Sequence, residues 1–69
     1  MQSLITKRVA ERVVHLRQQR GMSQRALGAK AKVNRVTVAR LEAALHPPNI
    51  ETLDRIARAL GVTLTDLVQ

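Results

Sequence analysis

The chain contains no cysteine and no phenylalanine, tyrosine or tryptophan. Without cysteine there is no disulfide framework, no thiolate metal site and no thiol nucleophile. Without aromatics there is nothing on which an unpaired base can stack, which argues against a reader of single strands or RNA loops. Acidic residues are scarce: five against twelve basic ones, for a formal net charge of +7. Such an excess points to a polyanion, either nucleic acid or an anionic membrane surface. Together the two features make duplex grooves and phosphates the expected target. Long apolar runs are missing too. No stretch approaches the roughly 18 apolar residues of a spanning helix, and no leader-like apolar run opens the chain. The expected location is therefore the cytoplasm. Three glycines, two prolines and no repeat leave no flexible linker, so residues 1–69 are expected to form one domain. A domain this small buries only about 60% of its unfolded surface, so a partner would help it.

The charge that is present is segregated. Ten of the basic residues but only one acid, Glu11, fall within residues 1–40, which carry +9; the remainder carries −2. Solubility alone would not require that segregation, so the N-terminal forty residues are the candidate binding part.

The apolar spacing predicts five helices and no strands. Ile5, Val9, Val13 and Leu16 recur at helical intervals and predict a first helix over 4–19, capped by Ser3 and closed by Gly21. Ser23 caps a second helix over 24–31, with Ala26, Leu27 and Ala31 apolar. Asn34 caps a third over 35–43, with Val38 and Leu41 inward. His46-Pro47-Pro48 stops it, because a residue before proline is pushed out of the α region. A fourth helix follows Asn49 and runs to Leu60, with Ile50, Leu53, Ile56, Ala57 and Leu60 as its stripe. Thr63, with Asp66 three residues on, opens a short last helix containing Leu64, Leu67 and Val68. The fold class is all-α, compact, with one core.

Two short helices joined tightly, 23–31 and 34–43, make a helix-turn-helix candidate. The run MSQRALGAKAKVNRVTVARLEAA, Met22 to Ala44, carries small or apolar residues in a fixed order: Leu27, Gly28, Ala31, Val33, Val38 and Leu41. With the following NIETLDRIARALGVTLTDL, it resembles the lambda-repressor-like (Cro/repressor, XRE) DNA-binding domains over nearly the whole chain. Lys32 departs from the pattern, standing where the family usually has a glycine with left-handed backbone.

The resemblance implies a site. Recognition helices present their first residues to base edges in the major groove, and the family's base-reading positions fall on Arg35, Val36 and Arg40. Arg35 can bond guanine O6 and N7, and Val36 can pack on a thymine methyl. Arg40 borders the same face and could take a base or a phosphate. For both arginines, simple phosphate neutralisation is the plainer possibility. Gln24 falls where the family clamps a phosphate at a helix N-terminus. Arg25, Lys32, Asn34 and Thr37 are further backbone-contact candidates, while Lys7, Arg8, Arg12, Arg20 and Lys30 supply field. The resemblance also implies a partly buried ion pair between Arg17 and Glu42.

Other chemistries have little support. His15 and His46 are the only imidazoles, 31 positions apart, so no metal site is expected. No nucleophile elbow or phosphate-cradling glycine loop occurs, so neither an enzyme nor a cofactor is expected. A membrane-surface role would need the apolar face of the first helix, which the core requires. The resemblance implies a prokaryotic or phage homodimer that represses transcription at a palindromic operator and is nucleoid-associated when bound. The dimer contact is expected at Ile50, Leu64, Leu67 and Val68. The alternative within the family is an antitoxin, which also binds a toxin protein; the lack of any extension beyond the domain favours the plain regulator.

Overall fold

The structure is a computed structural model in which residues 4–45 and 47–69 are described. Ser3, the expected cap of the first helix, and His46 lie outside the described residues. Five helices follow in order: α1 Leu4–Gln19, α2 Gln24–Ala31, α3 Arg35–Glu42, α4 Ile50–Leu60 and α5 Leu64–Val68. No strand occurs among the described residues, and no helix there is long and apolar enough to cross a membrane.

Side-chain caps place the starts of α2 to α5. Ser23, Asn34, Asn49 and Thr63 each accept a backbone N–H of the first turn that has no partner inside the helix. At α5 the cap is reciprocal, because the Asp66 carboxylate accepts the Thr63 backbone N–H at 3.0 Å. The ends of α1 to α4 share a different device. One residue turns left-handed, and the next donates its N–H five residues back: Met22 to Arg17, Val33 to Gly28, Leu45 to Arg40 and Val62 to Ala57. The turning residues are Gly21, Lys32, Ala44 and Gly61. Two of the four therefore carry a Cβ in a region that costs an L-residue about 1 kcal/mol.

The helices pack around Leu27, Ile56, Leu60, Leu67, Val13 and Val38, all almost fully buried. α2 lies between α3 and α4, while α1 covers α3 and α5. Three apolar expectations need correction. Ile5 is 60% exposed and Thr6 is buried in its place. Steps of four residues overshoot a turn by about 40° each, so Ile5 drifts about 80° from Val13, whereas Thr6 lies within about 20° of it. Ile50 points along the α4 stripe but is 72% exposed. It is the first helical residue, one turn outside Leu53, where the core already ends. Ala26 is also exposed; it lies about 100° around α2 from Leu27.

Candidate nucleic-acid interface

The placement of α3 follows from a glycine. α2 and α3 cross at Gly28, where an added Cβ would sit 2.9 Å from the Val33 carbonyl oxygen and 3.4 Å from the Arg35 nitrogen. Both neighbours are backbone, so neither can swing aside. Lys32 makes the turn between the helices at φ 60°, ψ 42°. Asn34 Oδ1 then accepts the Val36 N–H at 2.7 Å and starts α3. Val38 and Leu41 anchor the inner face.

What remains outside is Val36, Arg40 and Arg35. Val36 is 47% exposed, and both arginines are exposed. Val36 and Arg40 are one turn apart and project within about 40° of each other. Arg35 stands about 140° around the helix from Arg40. The two cations therefore flank Val36 on opposite sides and do not lie in one line. Thr37 is half-buried beside a small depression of about 120 Å³, which it lines with Arg40, Leu41 and Pro48. Arg25, Lys32 and Asn34 are exposed at the rim of the same helix pair.

The far end of α3 is held by charge. Arg17 Nε donates to Glu42 Oε2 at 2.6 Å and Nη2 to Oε1 at 3.0 Å. The third nitrogen, Nη1, donates to the Met22 carbonyl at 2.8 Å. The two side chains retain 14% and 6% exposure. The Glu42 hydrogen bond raises the Arg17 pKa further above its ordinary value, so the guanidinium is charged at every working pH. Gln24 joins this cluster: its Nε2 donates to Glu42 Oε1 at 3.0 Å. One of the two N–H donors of the side-chain amide is thus turned to Glu42; the second, with the backbone N–H of Gln24, remains for a phosphate. One carboxylate thereby joins α1, α2 and α3.

Two features escape sequence reasoning. Arg12 Nη1 donates to the Asp66 carbonyl at 2.6 Å and ties α1 to α5; nothing in the spacing links residues so distant. Leu67, expected at a dimer contact, is 1% exposed and is the inward residue of α5. A five-residue helix must commit one apolar side chain to the core in order to dock at all. Among the other residues expected there, Ile50 and Val68 are exposed and Leu64 is half-buried. Among the described residues no cluster of His, Asp or Glu could hold a metal ion.

Fold and site together define a helix-turn-helix DNA-binding domain. A helix-turn-helix family model (HTH_3) matches residues 15–67, and the chain belongs to that family, whose type is XRE-like. Solved structures agree. The N-terminal DNA-binding domain of SinR from Bacillus subtilis is 26% identical, with 88% of this chain and 90% of that one covered and a TM-score of 0.84. An HTH_3 family transcriptional regulator from Vibrio cholerae is 25% identical over 93% of this chain, with a TM-score of 0.87; the match spans 36% of that protein. The restriction-modification controller protein C.AhdI from Aeromonas hydrophila shares the fold, with a TM-score of 0.85 at 22% identity, covering 90% of this chain and 94% of that one. No curated protein matches the sequence.

Proposed function

We propose that the chain regulates transcription as a homodimeric repressor. Each subunit lays α3 in a major groove of a pseudo-palindromic operator, and occupancy excludes polymerase. The observation that carries this reading is the outer face of α3, where Val36 stands exposed between two arginines on a helix fixed at both ends. Val36 packs on a thymine methyl, Arg35 reads guanine, and Arg40 takes a base or a phosphate on the other side. Backbone contacts come from the Gln24 N–H, Arg25, Lys32, Asn34 and Thr37. Two-fold pairing through Ile50, Leu64 and Val68 sets half-sites about 34 Å apart. The names of SinR's domain and of the Vibrio cholerae regulator support the DNA-binding and regulatory parts.

Binding-site selection from random duplexes, followed by a salt titration, tests the proposal. The expected result is an enriched palindrome whose sequence changes with Arg35→Ala, while Lys7→Ala weakens all duplexes alike. A steep salt slope with no enriched palindrome would instead indicate sequence-independent binding. A monomer at all concentrations, with and without the selected duplex, would remove the homodimer.

A further inference from the structure

The cations that lie away from the outer face of α3 gather on a second surface. Lys30 is two residues beyond Gly28 and so about 200° around α2. It projects from the flank opposite the crossing with α3. There Lys30 and Lys32 face Arg55 and Arg58 of α4 across a depression of about 410 Å³ floored by Ala31 and Ala59. A second depression of about 390 Å³ shares Lys30, Arg58 and Ala59 and continues past Met22 and Leu60 to Arg20. The two form one groove bordered by five cations.

Local demands absorb only part of this charge. Arg55 pairs with Glu51 at 2.9 Å and Arg58 with Asp54 at 3.1 Å, both exposed pairs one helical turn apart. Arg20 and Arg55 each donate to a carbonyl at a helix end, Leu16 and Lys32 respectively, at 3.4 Å, as cations do at the negative end of a helix dipole. The ammonium groups of Lys30 and Lys32 have no hydrogen-bond or ion-pair partner among the described residues. Five cations against two acids leave a local charge of +3 along the groove.

We propose that this groove docks an acidic segment of a partner protein. Charge complementarity sets the sign of the occupant, and the shape sets its kind. A duplex is a broad convex rod whose phosphates would meet only the rims. An extended chain fits between α2 and α4 and sets its carboxylates against Lys30 and Arg58. Because Lys30 lies on the flank of α2 away from α3, the docked segment leaves Val36 and Arg40 accessible. The proposal goes beyond duplex binding and, Lys32 apart, stands on different residues.

Nitrogen-15 amide mapping with two probes tests it. One probe is a fluorescein-labelled peptide of Glu-Asp-Leu repeats; the other is a random-sequence duplex. The peptide is expected to shift residues 30–31 and 55–61, and the duplex residues 24–25 and 32–40. The double change Lys30→Glu with Arg58→Glu is expected to weaken the peptide about tenfold, through two lost attractions and two new repulsions. It should also weaken duplex binding, since Lys30 contributes to the attracting field, but should leave the pattern of duplex shifts unchanged. The neutral pair Lys30→Gln with Arg58→Gln should fall between, and circular dichroism checks that each variant is folded. Peptide shifts centred on α3, or a peptide affinity unmoved by charge reversal, overturn the proposal. Duplex shifts centred on the groove overturn it as well and make this face a second nucleic-acid surface.

Discussion

Replacing Glu42 with glutamine tests the physical account of how α3 is held. The carboxylate accepts three hydrogen bonds, two from Arg17 and one from Gln24. Removing its charge leaves the Arg17 guanidinium, 14% exposed, with neutral acceptors only, the glutamine amide oxygen and the Met22 carbonyl, and sets an amide NH2 donor in place of one carboxylate oxygen. Breaking a buried ion pair from one side costs about 3–5 kcal/mol. The pair lies close to the surface of a very small domain, so the stranded cation can reach water, and about 3 kcal/mol is the expected loss. At about 4–8 °C per kcal/mol for a domain of this size, the Tm should fall by about 12–24 °C. Replacing both partners, Arg17→Met with Glu42→Leu, removes the charges together and should cost under about 1.5 kcal/mol. The chain has no tryptophan or tyrosine to report by fluorescence, so urea unfolding followed by far-UV circular dichroism is the assay. A single-variant loss below about 1 kcal/mol, with additive effects in the double variant, would mean the pair is solvated and does not hold α3.

Gly28→Ala should destabilise by about 1–3 kcal/mol, because its methyl would meet the Val33 carbonyl oxygen 2.9 Å away and force α2 and α3 apart; a neutral result in the same unfolding assay would show that the crossing can relax. Lys32→Gly should stabilise by about 0.5–1 kcal/mol, relief of the left-handed backbone exceeding the extra entropy of glycine in the unfolded chain. Ala44→Gly should come out near zero despite the similar φ of 55°, since the buried Ala44 methyl is lost and its burial is worth about 0.8 kcal/mol; equal gains at both positions would refute that distinction. Asp66 has its pKa lowered, first by the Thr63 backbone N–H and then by the Thr63 hydroxyl. A carboxylate held below its unfolded pKa of about 3.9 adds stability that is present above that value and is lost as pH falls through the folded pKa. Thermal unfolding between about pH 5 and pH 2 should therefore show a shallower acid loss for Asp66→Asn than for the parent.

Much of this protein was legible along the chain. Apolar spacing and the caps Ser23, Asn34, Asn49 and Thr63 are local signals, each read within a turn or two of helix, and they locate all five elements. The charge segregation needs only counting, and the helix-turn-helix follows from small and apolar residues in a fixed order around Gly28. Tertiary structure decided what no local signal carries. Ile5 and Ile50 look like core residues by spacing, yet burial depends on which face of which turn another element covers: the turn of Ile5 buries Thr6 instead, and Ile50 lies a turn beyond the end of the core. Leu67 resembles its neighbours Leu64 and Val68, but docking of α5 on α1 and α4 encloses only Leu67. The Gln24 amide turns inward because three helices bring Glu42 within its reach. The groove between Lys30 and Arg58 joins residues 28 positions apart. Local chemistry determined where the helices begin and end, because caps and turns act over a few residues; packing decided which side chains remained free to meet a partner, because burial is a property of neighbours that the chain brings together only on folding.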